Sequence, residues 1–240
     1  MSEGNGKWFE LWNKRAMDVQ SSDSLLGKLI KVDGFDHPEV GDYNEEEWIK
    51  LCSHFGRVIG LKKNDKILEL GCGAGAFLLS LQKEFLCEIF GIDYSESVIE
   101  IARNNLNGTF ITSDASQVSK MNEAFDLIFL HSVTQYFPSL DYTYKVIEEA
   151  YLNLADDGKI GLLDVNDKTK EDIYHSSRRL KYKDPKEYDL LYSDHPHIFF
   201  SKKEISKILT EAGFKNISFY PHVIDTYGNS ELRFNVIAEK

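Results

Sequence analysis

One carboxylate and three glycines follow each other where the first predicted strand ends. Glu69 stands two residues before Gly71, and Gly73 and Gly75 come at the next alternate positions. Glycines spaced in this way after a strand let the chain turn sharply, and a ligand can lie against backbone where a Cβ would clash. A carboxylate at position 69 suits a cationic ammonium group and would repel a pyrophosphate. The segment therefore predicts a binding loop for a ligand with a cationic end.

Two more acidic residues follow at the ends of later predicted strands. Asp93 comes about 20 positions after the glycines, where a carboxylate can hold ribose hydroxyls. Asp114 closes the third predicted strand, and its side chain could accept a hydrogen bond from an adenine amino group. The glycines also satisfy the dinucleotide pattern G-x-G-x-x-G/A, which leaves a NAD(P)-dependent oxidoreductase as an alternative. Glu69 and Asp114 favour a nucleoside with a cationic end instead.

The elements that position these residues alternate between short apolar runs and helical patterns, which is typical of βαβ units. The predicted strands are residues 66–70, 88–92, 109–112, 125–130, 159–165, 217–220 and 232–239. The last two are close in sequence and predict an antiparallel pair. The sequence therefore predicts an α/β fold with a doubly wound, mostly parallel, seven-stranded sheet whose last strand is antiparallel.

The 240 residues are predicted to form one domain. Residues 62–165 would form the ligand-binding core, and residues 201–240 would add a C-terminal helix and hairpin. Residues 1–61 are predicted to form N-terminal cap helices, and residues 166–200 a polar insertion on the substrate side. In that insertion the charged run of Arg178, Arg179, Lys181 and Lys183 could meet an acidic acceptor, but it is more typical of a solvated helix face.

Composition narrows the functional class. The net charge of −11 argues against a broad basic surface for nucleic acid. No apolar run approaches the roughly 20 residues that span a bilayer, and the N-terminus lacks the profile of a signal peptide. Cys52, Cys72 and Cys87 have neither disulfide-framework nor zinc-site spacing, which fits a reducing cytoplasm. We expect a cytoplasmic monomer or homodimer that binds no metal and acts on a small molecule.

Five motifs in order along the chain resemble those of class I S-adenosylmethionine (SAM)-dependent methyltransferases. They are residues 69–75, 91–95, 113–115, 125–129 and 154–163. The resemblance implies that SAM is the cofactor and S-adenosylhomocysteine (SAH) the product. It also implies a site around the cofactor formed by Trp12, Arg15, Glu69, Gly71, Cys72, Gly73, Gly75, Asp93, Tyr94, Asp114, Ala115 and His131.

The resemblance assigns parts of the cofactor to these positions. Glu69 and the glycines would surround the methionine part, and Asp93 would hold the ribose. Tyr94 would lie against adenine, where Asp114 would bind the amino group. His131 would approach the methionine end. In the N-terminal segment, Trp12 and Arg15 would close the site, with Arg15 facing the cofactor carboxylate.

The implied reaction is displacement at the sulfonium by an oxygen or nitrogen of a small acceptor. The positive sulfur already activates the methyl group, so the enzyme contributes mainly alignment and water exclusion. A base helps only for a hydroxyl or ammonium acceptor, and His131 and His195 are the candidates. His195 and His197 flank Pro196, but an extended segment would splay them apart, so no metal site is predicted.

The end of the chain hints at the kind of acceptor. Residues 227–236 are similar to a segment of methyltransferase-like proteins associated with surface-polysaccharide synthesis, so a sugar or polysaccharide precursor is one candidate. The second alternative is a non-catalytic protein that retains the methyltransferase fold. Trp8, Phe9 and Trp12 are expected to pack the N-terminal helix rather than to contact substrate.

Overall fold

A single seven-stranded sheet forms the centre of the computed structural model, which describes residues 8, 10, 12–18, 21–35, 44–194 and 196–240. Its strands are β1 Lys66–Leu70, β2 Glu88–Asp93, β3 Thr109–Thr112, β4 Phe125–His131, β5 Leu154–Asn166, β6 Lys215–Tyr220 and β7 Arg233–Glu239. They lie in the order β3-β2-β1-β4-β5-β7-β6, and β7 alone runs antiparallel to its neighbours. The predicted fold class is confirmed.

The strands read as apolar runs because helices cover both faces of the sheet. The helices are α1 Leu25–Val32, α2 Glu45–Ile59, α3 Ala76–Phe85, α4 Glu96–Asn105, α5 Leu140–Asn153, α6 Glu171–Arg179, α7 Pro185–Asp194 and α8 Lys202–Ala212. Helices α1 to α4 pack on one face and α5 and α8 on the other. Within the described ranges, no helix has both the length and the apolarity to cross a membrane.

Helix α8 begins and ends at the capping residues that its sequence predicts. Ser201 and Glu204 form the predicted capping box at the start of α8, and Gly213 ends the helix in the left-handed conformation. Because these signals are local, the sequence alone predicts where α8 begins and ends. The carboxyl ends of β1, β2, β4 and β5 then meet at one edge of the sheet.

The polar insertion contains α6 and α7, and its charged run was misread in part. Arg178 is only 8% exposed, and its guanidinium lies 4.1 Å from the centre of the Tyr174 ring. The expectation of a solvated face is therefore wrong for Arg178, because the cation packs on an aromatic face inside the fold. Arg179 behaves as expected and forms an exposed ion pair with Asp189 at 2.5 Å.

Candidate functional site

The loop after β1 turns through three glycines in the left-handed region. Gly71, Gly73 and Gly75 have φ of +76°, +52° and +88°, which L side chains rarely adopt. The amides of Gly71 and Cys72 donate to the Ile92 carbonyl at 2.7 and 3.1 Å, which ties the loop to the end of β2. The loop thus places bare backbone at the edge of the sheet, beside the first turn of α3.

Asp33, just after α1, holds this loop from the N-terminal side. Its two carboxylate oxygens accept hydrogen bonds from the amides of Ala74 at 2.6 Å and Ala76 at 3.1 Å. Gly75 stands at the N-cap of α3 without a side chain, so Asp33 supplies the cap from 43 residues away. Burial raises the pKa of Asp33 to about 7, against the effect of these hydrogen bonds.

Asp93, at the end of β2, holds the same loop from the other side. It accepts hydrogen bonds from the Gly73 amide at 3.0 Å and the Ser95 amide at 2.9 Å. Burial raises its pKa to about 6, although both hydrogen bonds act in the opposite direction. Asp93 therefore lies against the glycine loop, and its predicted role toward ribose stays a prediction.

Glu69 lies under the loop and is 3% exposed. Its Oε2 atom has no hydrogen-bond partner among the described residues. Burial, followed by the charges of Asp33 and Asp93, raises the pKa of Glu69 well above its usual value. Buried carboxylates normally have partners. Three carboxylates that destabilise one another's charges mark a site that a cationic ligand would stabilise.

Two adjoining cavities open at the glycine loop. The larger has about 560 Å³ of space including its mouth, and Trp12, Cys72 and His131 are among its lining residues. The smaller, of about 350 Å³, includes Ser113, Ala115 and Tyr142 in its lining. Both cavities are lined by Gly71, Asp93, Tyr94, Val133 and Tyr136. The shared lining makes them two halves of one elongated site.

Asp114 lies behind the smaller cavity. Its Oδ1 atom accepts hydrogen bonds from the Ser116 amide at 2.9 Å, the Ser116 hydroxyl at 2.7 Å and the Tyr142 hydroxyl at 2.8 Å. Burial acts to raise the pKa of Asp114, but the hydrogen bonds from Ser116 and Tyr142 outweigh it and lower that pKa. Asp114 is therefore ionised at neutral pH and can act as an acceptor at this end of the site.

His131 lines the larger cavity inside an aromatic box. Its ring centre lies 4.9 Å from that of Phe77, 5.4 Å from Trp48 and 5.6 Å from Phe35. Burial lowers the pKa of His131 to about 4, so the ring is neutral at pH 7 and a weak base. The other candidate base, His195, lies outside the described residues.

The N-terminal aromatic residues meet the insertion above the larger cavity. Trp8 stacks on His197 with ring centres 5.0 Å apart, and it also lies 4.8 Å from the Tyr136 ring. Trp12 lines the cavity and lies 5.7 Å from Tyr136, while the Arg15 guanidinium lies 5.3 Å from the Trp12 ring. Contacts of this kind enclose the cavity mouth. Phe9 lies outside the described residues.

Several residues that line the candidate site were not predicted from the sequence. They are Asp33, Phe35, Trp48, Phe77, Tyr136 and Tyr142, which line the two cavities. Asp33 and Trp48 lie in residues 1–61, which the sequence predicted only as N-terminal cap helices. Nothing in these local patterns signals a contact with a loop some 40 residues away. Tyr136 lay in the loop after β4, where the strand-end rule could have found it.

A sequence model of the methyltransferase domain family matches residues 42–219. Among curated proteins, the malonyl-[acyl-carrier protein] O-methyltransferase of Geobacter sulfurreducens is 28% identical over 65% of this chain. The demethylmenaquinone methyltransferase of Lactobacillus johnsonii is 24% identical over 68% of this chain and 73% of its own length. The match spans only 57% of the Geobacter protein's length.

The fold is also that of a solved methyltransferase. Magnesium protoporphyrin IX methyltransferase from Synechocystis PCC 6803, solved with bound SAM, superposes with a TM-score of 0.58 at 16% identity, over 98% of this chain and 92% of its own. The family model covers more than half of the 240 residues. The family recognised from the five motifs is thereby confirmed: the chain belongs to the methyltransferase domain family and has the fold of the class I SAM-dependent enzymes.

Proposed function

We propose that the protein transfers the methyl group of SAM to an oxygen or nitrogen of a small molecule. The observation that carries this proposal is the group of carboxylates at the glycine loop. Glu69 is buried with an unpartnered oxygen, and Asp33 and Asp93 raise its pKa. A ligand with a cationic end removes the cost of this arrangement, whereas the pyrophosphate of a dinucleotide would increase it.

The residues present fit the two ends of the cofactor. Glu69 would accept from the ammonium group, and Asp93 would accept from ribose hydroxyls while keeping its bond to Gly73. At the other end, all described hydrogen bonds to Asp114 fall on Oδ1, so Oδ2 is available to an adenine amino group. Tyr94 lines both cavities and would contact the nucleoside between these ends.

When bound, SAM supplies a methyl group already activated by the positive sulfur. The chain's own contribution is to exclude water and align the acceptor. Phe35, Trp48 and Phe77 enclose the neutral His131 ring at the methionine end. A neutral imidazole can accept a proton, but a pKa of about 4 makes it a poor base for a hydroxyl. This favours an acceptor that loses its proton readily.

The relatives act on different molecules, and their names support a small acceptor only by analogy. We propose cytoplasmic action on a soluble metabolite. A sugar or polysaccharide precursor is one candidate if it accepts the methyl group on a carboxylate or an amine rather than on a neutral hydroxyl. The three cysteines are free and buried, which fits a reducing compartment.

Calorimetry tests the cofactor and separates it from the dinucleotide alternative. SAH and SAM should bind one to one, whereas NADH should not bind. Tight binding of NADH in place of SAH would reject the proposal. Transfer of a labelled methyl group to a metabolite panel then tests catalysis, and no turnover despite tight SAM binding would support a non-catalytic protein.

A further inference from the structure

A buried ion pair lies at the same edge of the sheet as the cofactor loop. Asp164 of β5 and Arg233 of β7 are 1% and 8% exposed. Nη1 of Arg233 bonds to Asp164 Oδ2 and lies 3.3 Å from the Ser132 hydroxyl. Ser132 lines the larger cavity directly after His131. The pair is therefore a neighbour of the methionine end of the site.

Hydrogen bonds extend this pair to a second buried arginine. The Tyr227 hydroxyl donates to Asp164 Oδ2 at 3.0 Å, and Asn229 Nδ2 donates to the Tyr227 hydroxyl at 3.2 Å. Arg178 of the insertion then donates to Asn229 Oδ1 at 3.1 Å. One buried network thus joins the insertion, the segment before β7 and the end of β5.

Both guanidinium groups act on Tyr136, which lines the two cofactor cavities. Burial raises the pKa of Tyr136, while the charges of Arg233 and Arg178 act in the opposite direction. Asp164 acts on the pKa of Tyr136 in the same direction as burial, so the ion pair and Arg178 all lie close enough to influence this residue of the site.

The backbone is strained at the points where the network reaches the sheet edge. Ser132 and Asp164 have φ of +53° and +62°, which non-glycine residues rarely adopt. The pairing of β5 with β7 also shifts register between Leu162 and Val165, so Asp164 lies at an irregularity. Such conformations are uncommon and cluster at functional sites.

The Arg233 guanidinium donates hydrogen bonds to described residues through only one of its three nitrogens. All of its side-chain hydrogen bonds to described residues come from Nη1, and Nε is buried without a described partner. Asp164 Oδ1 is likewise buried without one. A purely structural ion pair would gain most by meeting the carboxylate with two parallel bonds. Here the Nε–Nη2 edge, which matches a carboxylate or phosphate, is not used by Asp164.

We propose that the Nε–Nη2 edge of Arg233 binds an anionic group of the methyl acceptor, a carboxylate or a phosphate. Asp164 Oδ1 accepts a hydrogen bond from a hydroxyl or amine of the same molecule. The identification of the ligand as the acceptor rests on the proposed methyl transfer, whereas the anion site itself does not. Arg233 lines a cavity separate from the two cofactor cavities. An acceptor bound there would reach the methionine end past Ser132, whose hydroxyl accepts a hydrogen bond from Arg233 Nη1 and which lines the larger cofactor cavity.

The side-chain Nε–H resonance of Arg233 provides a direct readout. SAH-loaded, ¹⁵N-labelled protein is titrated with inorganic phosphate, with acetate and with neutral acetamide. We expect the Arg233 resonance to shift saturably with at least one anion and not with acetamide. The anion that shifts it more distinguishes a phosphate from a carboxylate ligand. Through-bond assignment in the wild-type protein makes the measurement independent of any variant.

Arg233→Lys keeps the positive charge beside Asp164 but removes the planar pair of donors, Nε and Nη2. We expect it to weaken anion binding by about 10- to 150-fold, since hydrogen bonds to charged groups contribute about 1.5–3 kcal/mol. The exposed Arg57, which pairs with Glu84 at 2.7 Å, provides the matched control Arg57→Lys. An Arg233 resonance that neither anion moves, or equal anion affinity in Arg233→Lys and wild type, would overturn the inference.

Calorimetry with SAH separates this inference from the proposed function. If SAH binds and no anion shifts the Arg233 resonance, the anion site is rejected and the cofactor proposal stands. If SAH does not bind, the titration of the SAH-free protein still tests Arg233, and a saturable shift there supports the anion site alone.

Discussion

Replacing Glu69 with glutamine should separate cofactor binding from folding. Glu69 is buried, and burial, followed by the charges of Asp33 and Asp93, raises the pKa of its carboxyl well above the usual value, which favours the uncharged form relative to an exposed glutamate. Glutamine closely resembles that protonated acid in shape. We therefore expect the free energy of unfolding of the SAH-free protein to change by less than about 1 kcal/mol at pH 7.

Cofactor affinity should respond very differently. The Oε2 atom has no hydrogen-bond partner among the described residues, and an ammonium group would bond to its ionised form. A hydrogen bond to a charged group contributes about 1.5–3 kcal/mol, so the Kd for SAH should rise by about 10- to 150-fold in Glu69→Gln. SAH carries the same ammonium group as SAM, and it is not consumed by turnover.

Proton release gives a second, independent readout. Ionisation of Glu69 on binding releases a proton, which calorimetry detects by comparing buffers of different ionisation enthalpy. The wild-type protein should release more protons than Glu69→Gln. Glu123→Gln is the matched control, because Glu123 forms an exposed ion pair with Lys66 at the opposite end of the same strand. An SAH affinity within twofold of wild type, together with unchanged proton release, would refute the reasoning.

Three further predictions concern the loop and its neighbours. The folded-state pKa values of Asp33 (about 7) and Asp93 (about 6) lie above the unfolded value of 3.8. The stability that these two carboxyl groups contribute to the fold is therefore present at low pH and is lost as pH rises through these values. The raised pKa of Asp33 contributes at most about 4 kcal/mol to the free energy of unfolding, since this residue keeps some solvent contact. The Tm of the protein without SAH should therefore fall between pH 4.5 and 7.5, and a flat or rising Tm would contradict this. Gly73→Ala puts a Cβ against Asp33 Oδ1 and should reduce SAH affinity more than about tenfold. The control Gly60→Ala, at φ +86° with open space around the Cβ, should affect only stability. Equal SAH affinity in both variants would count against the assignment of the glycine loop to the cofactor. The ring of His131 should not titrate between pH 5.5 and 8 in NMR spectra, because its pKa is about 4, and a midpoint near 6.5 would show that the aromatic box is open to water.

The sequence was sufficient to predict the part of the candidate site that lies at the ends of strands. Glu69 and Asp93 were predictable because parallel strands bring their carboxyl ends to one edge, where ligands bind. Their spacing from the glycines is short and local, so it survives any arrangement of the distant segments. The register confirms this reasoning, since Glu69 pairs with Gly91 only two residues before Asp93.

The other half depends on contacts that local patterns do not encode. Asp33 binds amides 41 and 43 residues later, and no periodicity relates the two segments. Arg178 was misread because it stands in a run of basic residues, which is typical of a solvated face. The signal that could have corrected this is Tyr174, four positions earlier on the same helix face, where an aromatic ring and a cation meet.

The distribution of charge at the sheet edge indicates that the charged ends of the two proposed ligands decide how each one is oriented. Glu69 and Asp93 end or nearly end β1 and β2, and their raised pKa values make this side costly until a cation arrives. On the side of β5 and β7, Arg233 is buried with an unused edge. A ligand bound backwards would place a carboxylate or phosphate beside Glu69, and this contact would be repulsive. Opposite charges at β1 and β7, with β4 and β5 between them, would then orient the cofactor and the acceptor proposed above with their reactive ends together near His131.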